Sequence, residues 1–412
     1  MLRLTGRLGP LREREFRLFF VGHSISVVGD GMAPLALAFA ILGLNGSVSS
    51  LGFVFAARTV TMVAFLLIGG VIADRASRRT VMLVADVVRF GSQGATAALL
   101  IGGHAQIWQL VVLQAVNGCA TGFFFPAVTG LTPLVVSEAR LQQANALRGL
   151  AMSGGEIVGP LIAGALVATA GAGWALAGDA ATFGVSAVFL AQLRRPAQEA
   201  LVSRPFVRDL LEGWNEFRSR TWLWAGVGAA GLGNMAFAAF IVLGAVISKQ
   251  SLGGATAWAS ILAAFNAGSV VGGLAALRLR PRRPFFAAFV AYLTFPAATI
   301  LLALRVDAWE IAMGAFVTGF GLLFGNALWE TTLQEQVPPA VLSRVTAYDW
   351  FGSLAFQPLG YVLVGPVAAA LGASGTLWAG ATLMLVVTAA VLTLPSVRQI
   401  EARAPAPEAV PP

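Results

Sequence analysis

The sequence GGVIADRASRR, residues Gly69–Arg79, separates two long apolar segments of the chain. One apolar run ends at Ile68, and the next begins at Val81. A connection of roughly ten residues is too short to form a domain, so it predicts a tight hairpin between two membrane helices. Its arginines place the hairpin inside the cell, because cytoplasmic loops collect Lys and Arg.

The composition predicts a membrane protein along nearly the whole chain. Of the 412 residues, 57% are hydrophobic and only 11% are charged, whereas soluble domains carry about 25% charged residues. Apolar runs of about 20 residues, enough to cross a ~30 Å hydrocarbon core, recur throughout. We predict an all-α integral membrane protein with twelve transmembrane helices in two six-helix bundles. The predicted spans are 18–43, 50–72, 80–102, 107–136, 145–170, 174–193, 222–247, 256–279, 285–304, 309–333, 345–371 and 375–395.

The distribution of basic residues predicts that both termini are cytoplasmic. Most of the 27 Lys and Arg residues fall before the first span, in alternate loops, or in the tail. Only Lys249 and Arg305 fall in loops on the other face, and Arg58 and Arg89 fall within spans. We therefore expect a multi-pass protein of the cell inner (plasma) membrane. We also expect it to be a monomer.

Several other classes of function are disfavoured by residues that the chain lacks. The net charge of +8 could indicate nucleic-acid binding, but the arginines lie in short loops where they set topology. Cys119 is the only cysteine, and the two histidines, His23 and His104, lie on opposite faces of the predicted topology. Lys249 is the only lysine and follows no Walker A glycines. We expect no cofactor, no metal site, no nucleic-acid partner and no enzymatic activity.

One long polar stretch, Arg194–Arg220, divides the chain into halves of six spans. Within it Phe206, Leu210, Trp214 and Phe217 recur at helical spacing, which predicts an amphipathic surface helix. The predicted units are an N-terminal bundle (1–193), a cytoplasmic linker (194–220), a C-terminal bundle (221–397) and a disordered cytoplasmic tail (398–412). The hairpin of the first half recurs in the second as Gly272-Gly273, Arg278 and Arg282-Arg283. Two similarly oriented six-span halves are typical of transporters that rock around a midplane site.

At these residues the chain resembles the major facilitator superfamily, over essentially its full length. The hairpin matches the family signature G-x-x-x-D-R-x-x-R-R through Gly70, Asp74, Arg75, Arg78 and Arg79. Span 5 resembles the Gly-Pro motif of the exporter branches through Gly155, Gly159, Pro160 and Gly164. The resemblance implies a proton-coupled exporter of drugs, siderophores or secondary metabolites, of the enterobactin-exporter kind. The arginine that the family's span 4 motif carries is missing here, which leaves the proton route open.

Asp74 has two interpretations. A carboxylate near a cytoplasmic helix end can accept N–H bonds from the N-terminus of a neighbouring helix. The resemblance implies that this neighbour is span 11, in which case the contact holds an inner gate shut. Alternatively, the arginines beside Asp74 only set the topology.

Ionisable residues within spans are candidates for function, because an unpaired charge at mid-bilayer is costly. Asp30 lies roughly 18 Å and Arg58 roughly 12 Å from opposite faces at ~1.5 Å per residue, so they reach similar depths on consecutive helices. We expect an ion pair or shared water pocket, in which Asp30 carries the proton or anchors a cationic substrate. The alternative is a static buried pair that holds spans 1 and 2 together.

Glu156 in span 5 is a second candidate for proton coupling, and its estimated depth makes Arg89 of span 3 its expected partner. Asp179 and Glu330 fall nearer the membrane faces in this topology and are expected to be snorkelling or gate residues.

By the resemblance, spans 1, 4, 7 and 10 line the substrate cavity. Their polar and aromatic residues favour a bulky amphipathic ligand over a sugar, which needs a denser polar lining. The candidate cavity residues are Asn117, Phe124, Asn234, Phe237, Phe240, Phe324, Asn326 and Trp329.

Three functions follow as hypotheses. The first is a proton-coupled exporter of small amphipathic molecules. The second is an importer or uniporter of a metabolite or peptide with the same fold. The third is a membrane enzyme or a non-transporting receptor, for which the loops offer no catalytic constellation.

Overall fold

The structure, a computed structural model, describes residues 9–194, 214–279 and 281–400. These ranges are helical and contain no strand. The long helices are α1 Arg14–Gly43, α2 Val48–Arg75, α3 Arg78–Ile101, α4 Ile107–Val135, α5 Leu141–Thr169, α6 Ala172–Gln192, α7 Thr221–Ile247, α8 Ala255–Ala276, α9 Pro284–Leu304, α10 Ala308–Gln336, α11 Pro339–Ala355 and α12 Gln357–Thr393. Short helical turns at Gly9–Arg12, Glu138–Arg140, Ser248–Leu252 and Pro395–Arg398 flank them.

The number of membrane crossings follows from the lengths of these helices. By length and hydropathy, ten described segments can cross a bilayer, and the last of them is Val345–Thr393. Its 49 residues would extend about 74 Å as one helix, more than twice the hydrocarbon thickness. The chain turns inside it at Gly372, whose φ of 73° is a left-handed conformation that glycine adopts without strain. That segment thus forms two crossings, and α3 supplies the twelfth.

Helix α3 falls short of the hydropathy of the other spans because its polar face points into the protein. Asp86, Arg89 and Gln93 recur at helical spacing and are at most 1% exposed. Val84 and Phe90, on the outward side, are exposed. A membrane helix with this polarity must satisfy its polar groups inside the bundle, and α3 therefore determines where the charged groups of the N-terminal half collect.

Helix α9 differs from the continuous span predicted over 285–304. It is interrupted between Tyr292 and Ala297, because Pro296 lacks an N–H and its ring clashes with the preceding turn. The hydroxyl of Thr318 in α10 accepts a hydrogen bond from the backbone N–H of Ala298 at 3.1 Å and can donate to the carbonyl of Phe295 at 3.2 Å. A side chain of the neighbouring helix thus satisfies backbone groups at the break.

The two halves share an apolar core at one end of the molecule. We call this end the opposite face; it carries the ends of α1 and α7, where Lys249 Nζ donates to the carbonyl of Leu42 at 2.6 Å. The shared core includes residues from both halves, such as Leu37 and Leu243. At the other end, the terminal face, each half has its own cluster, one around Phe16 and one around Trp222. Among the described residues, the halves therefore share one apolar core at the opposite face and have a separate core each at the terminal face.

The linker and tail predictions lie largely outside the described residues, which omit 195–213 and 401–412. Residues 214–219 are helical, and the rings of Trp214 and Phe217 lie 5.6 Å and 5.9 Å from the ring of Tyr348 in α11. The end of the predicted linker helix thus packs against the C-terminal half.

The start of α1 is tied to the α4–α5 connection at the terminal face. Glu13 accepts hydrogen bonds from the backbone N–H and hydroxyl of Ser137 at 2.9 Å and 2.8 Å and pairs with Arg140 at 3.2 Å. Desolvation acts to raise the pKa of Glu13, but these hydrogen bonds and the charge of Arg140 outweigh it and lower the pKa.

Candidate functional site

A buried cluster of charged side chains lies in the N-terminal half, around Asp30 of α1. Arg58 of α2 lies 3.4 Å from Asp30, so the expected ion pair between these helices is present. Arg89 of α3 binds both carboxylate oxygens of Asp30 and also reaches Asp86, one turn earlier on its own helix, at 3.3 Å. Asp30 is 33% exposed, whereas Arg89 and Asp86 are at most 1% exposed. Asp30 is therefore the most exposed member of this network, ahead of Arg58 at 17%.

Two aromatic rings lie close to the guanidinium of Arg89. Its Cζ lies 3.8 Å from the ring centre of Phe183 in α6 and 5.0 Å from that of Phe124 in α4. Cation–π contacts of this kind are strongest away from water. Phe124 was expected to line the cavity, but it is only 4% exposed and packs against Arg89 instead.

The expected pairing of Arg89 with Glu156 is wrong, because Arg89 binds Asp30 and Asp86 instead. The side chain of Glu156 is exposed, and its carbonyl accepts a hydrogen bond from Asn266 of α8 at 2.6 Å. Glu156 thus lies where α5 meets the other half.

Asp179 of α6 belongs to the same buried region, which corrects its expected place near a membrane face. Its side chain is fully buried, and one carboxylate oxygen accepts from the amide of Gln93 at 2.6 Å. Gln93 in turn accepts from Gln114 of α4 at 2.8 Å. The other carboxylate oxygen of Asp179 has no hydrogen-bond partner among the described residues, and it faces Gly29, where a Cβ would lie 2.7 Å from it. Gly29 therefore leaves room for this oxygen beside Asp30.

A cavity of about 210 Å³ lies in the C-terminal half, between α7, α9, α10, α11 and the second part of α12. Of the expected cavity residues, Asn234, Asn326 and Trp329 line it. Both amides are hydrogen-bonded to other residues that line the cavity. Asn234 donates to the carbonyl of Ser353 at 2.9 Å, and Asn326 accepts from the hydroxyl of Tyr292 at 2.7 Å.

The other expected cavity residues lie elsewhere. Asn117 and Phe240 are fully buried, so they are packing residues here and not cavity walls. The ring of Phe237 stacks on those of Phe240 and Phe295 at about 5 Å. Phe324 is half-buried and stacks on Phe320.

The hairpin that joins α2 and α3 is described only in part. The side chains of Asp74 and Arg75, and the surroundings of Gly70, lie outside the described residues. Arg78 donates to the carbonyl of Gly130 in α4 at 2.5 Å, and Arg79 donates to the carbonyls of Leu190 and Ala191 at 2.8 Å and 2.6 Å. The last two carbonyls belong to the C-terminal turn of α6, where a cation also meets the negative end of the helix dipole. The motif arginines thus connect three helices of the N-terminal half.

The Gly-Pro segment of α5 makes two kinds of close helix contact. Gly155 and Gly159 face α1, where added Cβ atoms would lie 2.7 Å from Val27 and 2.6 Å from the carbonyl of Val28. Pro160 is buried beside them. Gly164, one to two turns further on, faces α8 of the other half, and its Cβ would lie 2.5 Å from that of Ala259. This segment therefore packs α5 on α1 and also closes the opposite face.

Known proteins resemble this chain over most of its length. The Major Facilitator Superfamily profile matches residues 19–355. Enterobactin exporter EntS of Shigella boydii serotype 18 is 27% identical over 391 residues, which cover 90% of this chain and 91% of the relative. EntS of Escherichia coli O1:K1 is 26% identical over the same coverage.

Solved structures show the same fold at low sequence identity. The nucleoside transporter NupG aligns with a TM-score of 0.72 at 14% identity, over 94% of this chain and 99% of NupG. A bacterial homologue of the human lysosomal transporter Spinster, in an inward-facing and unoccupied conformation, aligns with a TM-score of 0.74 at 14% identity, over 94% and 97% of the two chains. Together with the family match, these likenesses identify a multi-pass membrane transporter and not an enzyme. The chain belongs to the Major Facilitator Superfamily.

Proposed function

We propose that the chain is a secondary active transporter that exports small amphipathic molecules in exchange for protons. The observation that carries the proposal is the buried cluster in which Asp30, Asp86 and Asp179 accompany only two described guanidinium groups, those of Arg58 and Arg89. With all five groups ionised, the cluster would hold one uncompensated negative charge, which is unfavourable because Asp86 and Asp179 are shielded from water. Uptake of one proton removes that charge, so the cluster is suited to bind and release protons.

Asp30 is proposed as the group that exchanges the proton with solvent. It is the most exposed of the three carboxyls and bridges three helices through Arg58 and Arg89. Rocking of the halves about their shared core would move Asp30 from contact with one side of the membrane to contact with the other.

The proposed orientation puts the terminal face in the cytoplasm of the cell and the protein in its inner membrane. The arginine-rich loops support it, since they lie on that face. In this orientation we propose that the present arrangement, with its shared core at the opposite face, is an inward-open one. The monomer is proposed as the working unit.

Export is favoured over import by the relatives named as enterobactin exporters and by the Gly-Pro segment. The likeness to NupG concerns the fold alone, at 14% identity. A susceptibility panel with an overexpressing strain should identify a substrate, which a deletion strain then accumulates. Loss of uptake in that strain would instead favour an importer.

The carboxyl-to-amide change Asp30→Asn tests the proton route. We expect transport of the substrate so identified to lose its dependence on external pH and to fall at least tenfold, because an amide cannot carry the proton. Transport by everted vesicles is measured between pH 5.5 and 8.5, with protein amount normalised.

Glu156→Gln serves as the matched variant for this experiment. If Glu156 and not Asp30 exchanges the proton, Glu156→Gln will lose the pH dependence and Asp30→Asn will keep it. A pH dependence retained in Asp30→Asn would exclude Asp30 as the proton carrier.

The role of Asp74 in a gate is part of the same proposal. Its hairpin lies at the terminal face, which must close during transport, and a carboxylate there can stabilise the closed form by binding a helix N-terminus. Asp74→Asn should therefore reduce transport severalfold while expression and unfolding temperature stay at the parent values. Unchanged transport rates would leave only the topological role of the neighbouring arginines.

A further inference from the structure

The cavity of the C-terminal half combines aromatic walls with two acidic side chains. Tyr292, Trp329 and Trp350 contribute aromatic rings, and Glu330 and Asp349 contribute the carboxyls. Among the described residues that line the cavity there is no Lys, Arg or His. With its carboxyls ionised, the cavity therefore combines negative charge with an apolar lining.

The carboxyl of Asp349 is held in place by a neutral group. Asp349 is 9% exposed, and one of its oxygens accepts a hydrogen bond from the indole N–H of Trp329 at 3.0 Å. The charged side chain that acts on it, among those described, is Glu330, which has the same sign. Within the described part of the chain, this buried carboxylate lies beside a second acid and lacks the cationic partner that such groups normally have.

A ligand can supply that partner. We infer that the cavity binds the ammonium end of an organic cation with an aromatic or apolar body, with Asp349 as its main anchor and Glu330 as a second. The faces of Trp329 and Trp350 add cation–π and stacking contacts. This inference rests on the proposed function, because it takes the cavity to be the site of the transported molecule.

The size and charge of the cavity limit what it accepts. Its volume of about 210 Å³ is below the ~300–1,000 Å³ typical of sites that enclose whole drug-sized ligands. It therefore holds the charged end of a larger molecule, whose body extends between the two halves. An anionic group in the same place would be repelled by both carboxyls.

Three probes with one body and different charges test this inference. 3-(1-Naphthyl)propylamine, the corresponding alcohol and the corresponding carboxylate are titrated at pH 7 into the full-length protein in nanodiscs, with calorimetric detection. We expect the amine to bind at least tenfold more tightly than the alcohol and the carboxylate to bind most weakly. In Asp349→Asn the amine should lose at least tenfold in affinity, while the affinity for the alcohol stays within twofold.

The matched variants are Glu330→Gln and Glu310→Gln, both on α10. Glu330→Gln should weaken amine binding by a smaller factor than Asp349→Asn. Glu310→Gln should leave it unchanged, because Glu310 lies at the N-terminal turn of α10 and glutamine preserves its capping box. Thermal unfolding in the same nanodiscs checks that each variant is folded.

Equal affinities for the three probes, tighter binding of the carboxylate, or unchanged amine binding in Asp349→Asn would each overturn the inference. So would the absence of measurable binding by the amine. None of these results bears on proton coupling, which the Asp30→Asn pH profile tests separately.

Discussion

Replacement of Arg89 by methionine is expected to abolish transport and to lower the unfolding temperature more than any other single change in the charged cluster. Arg89 is 1% exposed and binds two carboxyls, Asp30 and Asp86. Removal of one partner from a buried ion pair is destabilising by about 3–5 kcal/mol, because the remaining charge is left unpaired. Thermal unfolding of purified protein in detergent and transport in vesicles are the measurements.

Arg58→Met is the matched control for this variant. Arg58 makes one described ion pair, to Asp30, at 3.4 Å, and its side chain is 17% exposed, so water can partly replace it. We expect about 1 kcal/mol from its loss, as for a partly solvated pair. Equal unfolding temperatures of Arg89→Met and Arg58→Met would contradict the central role given to Arg89.

A second substitution separates two contributions to the stability loss in Arg89→Met, namely the carboxylate left unpaired and the packing contacts of the Arg89 side chain. Asp86→Asn in the Arg89→Met background removes the carboxylate that Arg89 neutralised, so part of the stability should return. Arg89→Lys should be intermediate, because an ammonium keeps the positive charge near Phe124 and Phe183 but lacks the planar fork that pairs with both oxygens of a carboxylate. A double-mutant cycle gives the coupling energy between Arg89 and Asp86.

The sequence was sufficient to predict the crossings and the pairing of Asp30 with Arg58. Both depend on distance along a helix, which a fixed rise of 1.5 Å per residue converts into depth. Glu156 was expected to pair with Arg89 because both have a similar estimated depth in the membrane, and this prediction was wrong. Successive residues rotate by about 100° around a helix, so two side chains at one depth can point in different directions. Which helices are neighbours decides the pair.

Asp86 and Asp179 were missed as members of the cluster for related reasons. Asp86 lies near the arginine-rich start of α3, so from sequence alone it is easily assigned to the polar loop and not to the membrane span. The signal that could have found it is the spacing of Asp86, Arg89 and Gln93 on one face of a helix whose other faces are apolar. Asp179 lies seven residues inside α6, whose start at Ala172 precedes the predicted boundary at 174. A small error in a boundary moved this residue towards the headgroups.

The cavity predictions were wrong mainly where the family resemblance, and not side-chain packing, determined which residues were expected to line the cavity. Phe124 and Asn117 lie on a helix expected to line the cavity, yet both are buried inside the N-terminal half. Asn326 and Trp329 do line a cavity, but its acidic member Asp349 comes from α11. Sequence alone does not show which residues of adjacent helices converge on one space.

Gly164→Leu is expected to shift the protein towards a form that is open at the opposite face. A Cβ at this position would lie 2.5 Å from Ala259 Cβ and 3.1 Å from the carbonyl of Ala255, both in the other half. Overpacking of a close contact is destabilising by about 1–3 kcal/mol. A form in which α5 and α8 have separated does not pay this penalty, so its population relative to the present form should rise by about 5- to 150-fold.

The shift is measured as the reaction rate of a single cysteine with a maleimide. Phe55 is 6% exposed, and its ring lies 5.5 Å from that of Tyr361 across the interface between the halves. Phe55→Cys in a Cys119→Ala background should therefore be protected in the parent protein and react faster when Gly164→Leu is added.

Gly154→Leu is the control, because it makes the same change on the same helix at a glycine whose Cβ would meet nothing within 4 Å. It should leave the maleimide rate at the parent value. Equal rates in all three proteins would mean that the contact of Gly164 with α8 does not help to close the opposite face. A faster reaction in Gly164→Leu, with the unfolding transition still cooperative, identifies this glycine as a control point of the equilibrium between the two forms. Alternating access requires that equilibrium to stay balanced, so we expect transport by Gly164→Leu to fall along with the shift.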